Sequence, residues 1–275
     1  MDAGFQVHGR SPVAVPLRCP TRPPVPGLTA AAERDWADLA TTPEHGRPFG
    51  PELVRHLPEP ARRWLSHAIE PGTPLSWAVR LRMHGRIRLG AWRTFRATQI
   101  LRPPRGFIWA ASVRVAGLPT TGFDRYSGGD GEMRWRVLGL LPVMSATGPD
   151  ITLSAAGRLA GEFVFVPAVA LSPAVTWEPI DGERARANVV IGGTAHSVTL
   201  TVAPEGSLTE LTLDRWGAPD GESFGRYTFG ARLQGETSYA GYTIPSLVRA
   251  GWWYGTRRWS RGEFIRFALD EADFL

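Results

Sequence analysis

The sequence predicts a mainly β (α+β) protein, in which a large curved antiparallel sheet forms a half-open β-barrel around an apolar pocket, with inserted and N-terminal helices. Three observations lead to this fold class: a strict alternation of apolar and charged residues, about ten or eleven strand-like segments, and one apolar segment with a helical pattern. A sheet of that size must curl or close around something. We therefore expect the apolar helix inside the curl.

Residues 1–50 differ from the rest of the chain because proline recurs through them. Their only helical pattern runs over residues 29–40, where Thr29 can cap the first turn. We interpret 1–50 as a Pro-rich arm that is partly disordered or wraps the core, and residues 51–275 as a single β-barrel-like domain. Cys19, the one cysteine, lies in this arm and excludes an internal disulfide.

Residues 52–69 contain two short helical patterns, interrupted at Pro58 and Pro60. The second pattern is amphipathic, and it places Trp64 on its apolar face. After Pro74 the period changes from 3.6 to 2 residues. Over residues 79–89, apolar side chains alternate with arginine and histidine, which predicts a half-buried antiparallel strand with a solvated basic face.

Further strand-like segments follow, separated by Gly- and Pro-containing turns. They cover residues 94–101, 107–115, 132–141, 175–179, 184–191, 197–202, 208–215, 224–233, 247–254 and 263–269. The segment 154–163 interrupts this series. It favours a helix capped by Ser154, although LAGEFVFV, residues 159–166, is also compatible with a strand.

The overall composition narrows the classes of function. The chain has 275 residues, 31 arginines, no lysine and a formal charge of +5. The arginines alternate with apolar residues and form no clusters, so we expect no nucleic-acid partner. No signal peptide and no run of 18 apolar residues is found, which predicts a cytoplasmic protein without stable membrane insertion. The sequence does not determine the oligomeric state.

Known catalytic and cofactor motifs are also missing from the sequence. The six histidines show no metal-ligand spacing, and there is no GxSxG, GxGxxG after a strand, or GxxxxGK[ST]. We therefore expect no metal and no cofactor.

Seven motifs carry a family resemblance. In chain order they are WRTFRATQ, PPRGFIWAA, GFDRYSGGDGEMRWRVLGLLPV, SATGPDITLSAAGRLAGE, DRWG, GYTIPS and GWWYGTRRW. Together they resemble a family of bacterial proteins of unknown function, grouped as DUF6544/DUF6920-type domains, over residues 52–275. The resemblance implies a fold like that of the LolA/LppX lipoprotein carriers, an incomplete antiparallel β-barrel in which helices close an apolar cavity.

Charged residues are concentrated in the centre of the chain. The group comprises Asp124, Arg125, Tyr126, Glu132, Arg134, Trp135, Asp150, Arg158 and Glu162. One interpretation is cross-strand ion pairing on a solvated sheet face. The other places Glu132 and Arg134 inside the barrel beside Arg158 and Glu162, where an apolar environment can shift a carboxyl pKa enough for acid/base chemistry.

Glu162 is the strongest single catalytic candidate, because its sequence neighbours are apolar and an unpaired buried carboxylate is costly. Pairing with Arg158, one turn earlier, is the structural alternative. The candidates for acid/base catalysis are Glu162, Glu132, Asp124 and Asp150. Arg125, Arg134 and Arg158 are the candidates for holding an anionic group of a substrate.

Aromatic residues form a second group of candidates. Trp109, Trp135, Trp252, Trp253 and Tyr254, together with Tyr126, are expected either to pack in the core or to line a ligand cavity.

The preferred function is binding of a hydrophobic small molecule, such as a lipid, isoprenoid or polyketide-like compound, with or without cofactor-free cyclisation, isomerisation or hydrolysis. The alternatives are a non-catalytic carrier and an interaction scaffold that uses the Pro-rich arm.

Overall fold

The computed structural model describes residues 27–41 and 46–275, which contain thirteen β-strands and four α-helices. The strands are β1 Val79–Leu89, β2 Ala91–Arg102, β3 Gly106–Val115, β4 Leu118–Ser127, β5 Asp130–Val137, β6 Leu141–Thr147, β7 Val175–Pro179, β8 Arg184–Ile191, β9 Thr194–Val202, β10 Leu208–Gly217, β11 Gly225–Tyr239, β12 Tyr242–Trp252 and β13 Glu263–Phe274. The helices are α1 Ala30–Leu39, α2 Glu59–Ala68, α3 Pro149–Glu162 and α4 Trp259–Gly262.

All thirteen strands form one antiparallel sheet, in the order β6-β5-β4-β3-β2-β1-β13-β12-β11-β10-β9-β8-β7. Each half of the chain forms its own meander, and the two meanders are joined where β1 pairs with β13. The register shifts by one residue in four strand pairs, β5–β6, β9–β10, β12–β13 and β1–β13, and such bulges increase the bend of a sheet. The predicted fold class, a large curved antiparallel sheet with inserted helices, is confirmed.

Helix α3 crosses the inside of the curved sheet, because it connects β6 at one edge of the sheet to β7 at the other. It contacts β4 and β5 on one side and β8, β9 and β10 on the opposite side. The expected helix therefore exists, and the strand alternative for LAGEFVFV is wrong. Ser154 is not its cap, however, because the helix already begins at Pro149, after Gly148.

The inner face of the sheet and two helices form the main apolar core. On α2, the predicted apolar face is fully buried, and the Trp64 ring meets those of Phe163 and Trp177 at centroid distances of 5.9 and 6.2 Å. Directly after α2, Ile69 forms a β-bridge with Tyr242, and the backbone N–H of Glu70 donates to the carbonyl of Gly241 in the β11–β12 turn. Helix α2 therefore closes one end of the curled sheet.

Helix α1 packs on the opposite, outer face of the sheet. Trp36 and Leu39 of this helix form a separate apolar cluster with Ile100, Ile108 and Phe123. Thr29 caps the helix as predicted, and its Oγ accepts a hydrogen bond from the backbone N–H of Ala32 at 3.2 Å. Residues 1–26, with Cys19, and residues 42–45 of the predicted arm lie outside the described residues, so the division at residue 50 stays a prediction.

The alternation predicted for residues 79–89 is confirmed. Leu81 and Met83 are buried, whereas Arg82 and Arg88 on the other face of β1 are exposed. The basic face is paired with acidic residues of β13, for example Arg80 with Asp273 at 3.1 Å.

Two strands were missing from the sequence-based expectation. In β4 the alternation is obscured because Gly122 and Asp124 occupy inner-face positions. Strand β6 lies at the sheet edge, and six of its seven residues are exposed, so it has no buried face that alternation could reveal. No helix within residues 27–41 and 46–275 is both long and apolar enough to cross a bilayer.

Candidate functional site

A cavity of about 390 Å³ lies between α3 and the inner face of the sheet. Both meanders contribute to its wall, which is mainly aliphatic and aromatic. The principal apolar lining residues are Leu81, Met83, Phe107, Trp109, Leu211, Leu213, Phe229, Ala231, Val248, Trp252 and Phe267. Phe224, which follows β10 at the end of the sheet away from α2, also lines the cavity and is 44% exposed. The cavity therefore reaches the surface at that end.

One wall of the cavity carries charged side chains from α3 and β4. The guanidinium of Arg158 donates from Nε to Glu162 Oε1 at 2.7 Å and from Nη1 to Asp124 Oδ2 at 3.2 Å. Gln99 of β2 donates from Nε2 to the second oxygen of Glu162 at 2.5 Å. Glu162 is thus paired within the cavity. The predicted alternative to catalysis, an ion pair of Glu162 with Arg158, is present.

Asp124 is held by two donors in an apolar setting. Trp135 donates from its indole Nε1 to Asp124 Oδ1 at 3.1 Å, and Arg158 binds the other oxygen. Burial raises the pKa of Asp124 above its ordinary value, although the neighbouring Arg158 and the indole hydrogen bond act in the opposite direction. Of the four predicted acid/base residues, Asp124 and Glu162 share the cavity wall.

Aromatic rings support this charged wall. The Arg158 guanidinium lies over the rings of Phe107 and Trp109, at 4.6 and 5.3 Å from their centroids. Trp109 in turn packs against Trp135, with 5.9 Å between the ring centroids. Such cation–π contacts favour a charged guanidinium in an apolar site. Tyr126 is buried farther along the inner face and does not line the cavity.

The interpretation that placed Glu132 and Arg134 inside the barrel is wrong. Glu132 pairs in register with Arg125 on β4, and both Arg125 and Arg134 bind its carboxylate. Arg125 also pairs with Asp35 of α1, the helix on the outer face. Although Arg125 and Glu132 border the cavity wall, their charged groups form a cross-strand network on the other side of the sheet, because neighbouring residues in a strand point to opposite faces.

Asp150 is also placed outside the cavity. It lies in the first turn of α3, where it accepts a hydrogen bond from Trp216 Nε1 at 2.9 Å. A carboxylate near a helix N-terminus interacts favourably with the helix dipole, so this contact fits a structural role.

The final aromatic group divides between the two faces. Trp252 lines the cavity and packs edge-on against Phe229, with 5.2 Å between the ring centroids. Trp253 is instead covered by the Arg258 guanidinium at 3.7 Å. Tyr254 donates to Glu210 Oε1 at 2.7 Å on the outer face. Trp253 and Tyr254 are therefore not part of the cavity lining.

Sequence reasoning missed Arg215 and Gln99 as cavity residues. Arg215 continues the inner-face series of β10, after Leu211 and Leu213, and all three line the cavity. An arginine in phase with leucines was a visible signal for a buried cation. Gln99 gave no such signal. The second half of β2 is buried on both faces, so its sequence has no alternation that would show which side chains point into the cavity.

Among residues 27–41 and 46–275, no group of three His, Cys, Asp or Glu residues is arranged to hold a metal ion.

The comparisons with known proteins agree with the motif-based resemblance. A sequence model of the family described as "Family of unknown function (DUF6544)" matches residues 47–264. No curated protein matches the sequence.

Two solved structures are similar to this chain. The crystal structure of a LolA superfamily protein from Nitrosomonas europaea has a TM-score of 0.43 at 12% identity, covering 78% of this chain and 92% of that one. A domain from Vibrio parahaemolyticus, provisionally described as an outer membrane lipoprotein-sorting protein, has a TM-score of 0.40 at 8% identity, covering 82% of this chain and 92% of that one.

Proposed function

Since this chain belongs to the DUF6544 family, whose function is unknown, its activity must be inferred from its own cavity, and we propose that it binds a hydrophobic small molecule there. The observation that carries this proposal is a cavity of about 390 Å³ with a mainly apolar wall and a few charged groups on one side. Small-molecule sites typically combine these two features, since apolar surface supplies affinity and a few polar groups fix orientation.

The shape and chemistry of the wall favour certain ligands. Flat rings of Trp109 and Trp252, with aliphatic side chains from both meanders between them, suit an alkyl chain or a fused-ring skeleton. We therefore propose a lipid, an isoprenoid or a polyketide-like compound. A carrier needs only this binding step, and the chain would then release the ligand unchanged.

The first test is recovery of a ligand. Native mass spectrometry of the purified protein should show a bound mass that organic extraction removes, and the stripped protein should enhance the fluorescence of the neutral apolar probe N-phenyl-1-naphthylamine. A stripped, folded protein that gives no probe signal, together with no extractable compound, would contradict the proposal.

The sharpest variant is Gly161→Leu. Gly161 lines the cavity from α3, and a Cβ there would meet Leu213 at 3.6 Å, an ordinary contact. The larger side chain should occupy part of the cavity and weaken probe binding. Because leucine favours a helix over glycine by about 1 kcal/mol, unfolding should not become easier. Ala37→Leu, on the exposed side of α1, is the matched control and should bind the probe normally.

A second candidate function is proton transfer to the bound compound. The observation that favours it is Asp124, whose pKa is raised by burial beside the ionised pair of Arg158 and Glu162. In this case the Asp124 carboxylate, which burial makes a stronger base, removes a proton from the substrate and returns it at another position, giving isomerisation without a cofactor. The test is deuterium uptake from heavy water into the extracted compound, which Asp124→Asn should stop.

A further inference from the structure

Arg215 is a buried cation of the cavity that the charged wall leaves without a carboxylate. Its side chain extends from the inner face of β10, the residue is 9% exposed, and it lines the cavity. The guanidinium lies over the rings of Phe229 and Trp252, 4.8 and 5.1 Å from their centroids. These rings hold the group in place, but neither neutralises its charge.

The hydrogen bonds of Arg215 involve only neutral groups. Nε donates to the backbone carbonyl of Ser154 at 3.1 Å, and Nη2 lies 3.4 Å from Ser154 Oγ. Within residues 27–41 and 46–275, Nη1 has no hydrogen-bond partner and no carboxylate lies within ion-pair distance of the guanidinium. Arg158 differs, since it contacts both Asp124 and Glu162.

The surroundings keep Arg215 charged at neutral pH while making that charge costly. Burial, together with the like charge of Arg158, lowers the pKa of Arg215 to about 9, although Glu162 and Asp124 act in the opposite direction from beyond ion-pair distance. A buried cation that no carboxylate contacts is unfavourable, and a ligand anion placed directly beside it relieves that cost. The carboxylates of Asp124 and Glu162 are already engaged by Arg158 on the same cavity wall.

Resting on the proposed binding function, we propose that Arg215 binds the ionised carboxylate of the ligand, so that the natural ligand is an amphipathic monocarboxylic acid. Its apolar chain occupies the cavity between the two meanders, and its carboxylate accepts hydrogen bonds from Nη1 and Nη2. Of Arg158 and Arg215, only Arg215 has no carboxylate of the described residues in contact with it, and it therefore offers a place for one carboxylate. A phosphate monoester carries up to two negative charges, and the second would face Asp124 and Glu162 without compensation.

The test compares palmitic acid with hexadecanol, which has the same chain without the charge. Binding to the stripped full-length protein is measured by displacement of N-phenyl-1-naphthylamine at pH 7.5. Wild type should bind the acid at least about 10-fold more tightly than the alcohol, as expected for hydrogen bonds to a charged group. Arg215→Met should remove this preference and leave hexadecanol binding. Arg62→Met, at an exposed position on α2, should keep the preference.

Other results separate this inference from the proposed function. Equal binding of acid and alcohol by wild type would overturn the role of Arg215 while leaving an apolar ligand site, and displacement by neither compound would remove both. Tighter binding of hexadecyl phosphate than of palmitic acid would overturn the monocarboxylate assignment.

A second measurement covers the case in which Arg215→Met does not fold. In wild type, the acid preference should disappear as the pH falls and the ligand carboxylate becomes protonated. A preference that persisted unchanged with the protonated acid would count against an ion pair at Arg215.

Discussion

Arg158 of α3 and Asp124 of β4 form an ion pair, with Nη1 and Oδ2 separated by 3.2 Å, that ties the crossing helix to the sheet. Their side chains are 17% and 18% exposed. The pair therefore fixes one side of the cavity, and it also keeps polar atoms within reach of a ligand in an otherwise apolar wall.

Replacing Arg158 with methionine should destabilise the protein. The change leaves Asp124 without its cation and Glu162 with only Gln99 as a partner, and breaking such a buried pair costs about 3 kcal/mol. Urea unfolding followed by circular dichroism measures this loss. Arg82→Met, which removes the exposed pair with Glu271, should cost less than about 1 kcal/mol. Equal losses for the two variants would argue against a central role for Arg158.

Glu263 should make the protein sensitive to acid. Although burial acts to raise it, the pKa of Glu263 is held at about 2 by hydrogen bonds from Arg249 and Arg266. Because the folded-state pKa lies below the ordinary value of 4.5, this stabilisation is present above pH 4.5 and is lost as the pH falls towards 2.

Glu263→Gln should therefore remove a pH-dependent contribution of about 2 kcal/mol, after allowance for the half-exposed arginines. The measurement is the unfolding free energy at several pH values between 7 and 2, compared with wild type. Parallel curves for the two proteins would contradict the assigned ion pairs.

His196 should weaken the fold in mild acid. It is 6% exposed on the inner side of β9, and both ring nitrogens lack a hydrogen-bond partner among the described residues. Burial, aided by Arg226, lowers its pKa below the ordinary value of 6.5, so the unfolded chain takes up the proton first. Stability is therefore unaffected above pH 6.5 and falls as the pH drops below it.

His196→Leu should reduce the loss of stability between pH 7.5 and pH 5, by at most about 2 kcal/mol. His56→Gln, which changes an exposed histidine, is the control for loss of an imidazole. The check is urea unfolding at both pH values. A His196→Leu protein with the full wild-type loss would show that another group is responsible.

Gly122→Ala should disturb the support of Asp124. A Cβ at Gly122 would lie 2.5 Å from the Trp135 ring and would also clash with the carbonyl oxygen of Arg134. The ring must shift, which weakens its hydrogen bond to Asp124, and overpacking of this kind costs about 1–3 kcal/mol. Near-ultraviolet circular dichroism should report the altered indole. Gly182→Ala, where a Cβ meets nothing within 4 Å, should leave both stability and spectrum unchanged.

Much of the sheet could be predicted because one face of most strands is buried. The β1 pattern predicted its inner leucine and methionine and its outer arginines correctly. The same logic failed for β5, where Glu132 is almost fully buried although it lies on the outer face. Its burial comes from the pairing with Arg125 and from the position of α1, and neither contact is encoded in the local alternation of β5.

The site was only partly predictable, for a related physical reason. Arg158 and Glu162 lie one helical turn apart, so their pairing follows from sequence spacing. Arg215 reaches the same cavity from a strand nearly sixty residues later, because α3 carries the chain across the curl before the second meander begins. Only the tertiary fold determines that such distant residues share one wall.

The seam between β1 and β13 has a consequence for how the protein assembles. Val79 pairs with Phe274, so the contact that joins the two meanders spans most of the chain. Loop-closure entropy makes contacts of such high sequence separation slow to form. We expect the first meander to collapse around a provisional edge at β1 during synthesis, and the binding cavity to exist only after the last strand has been made and has docked there.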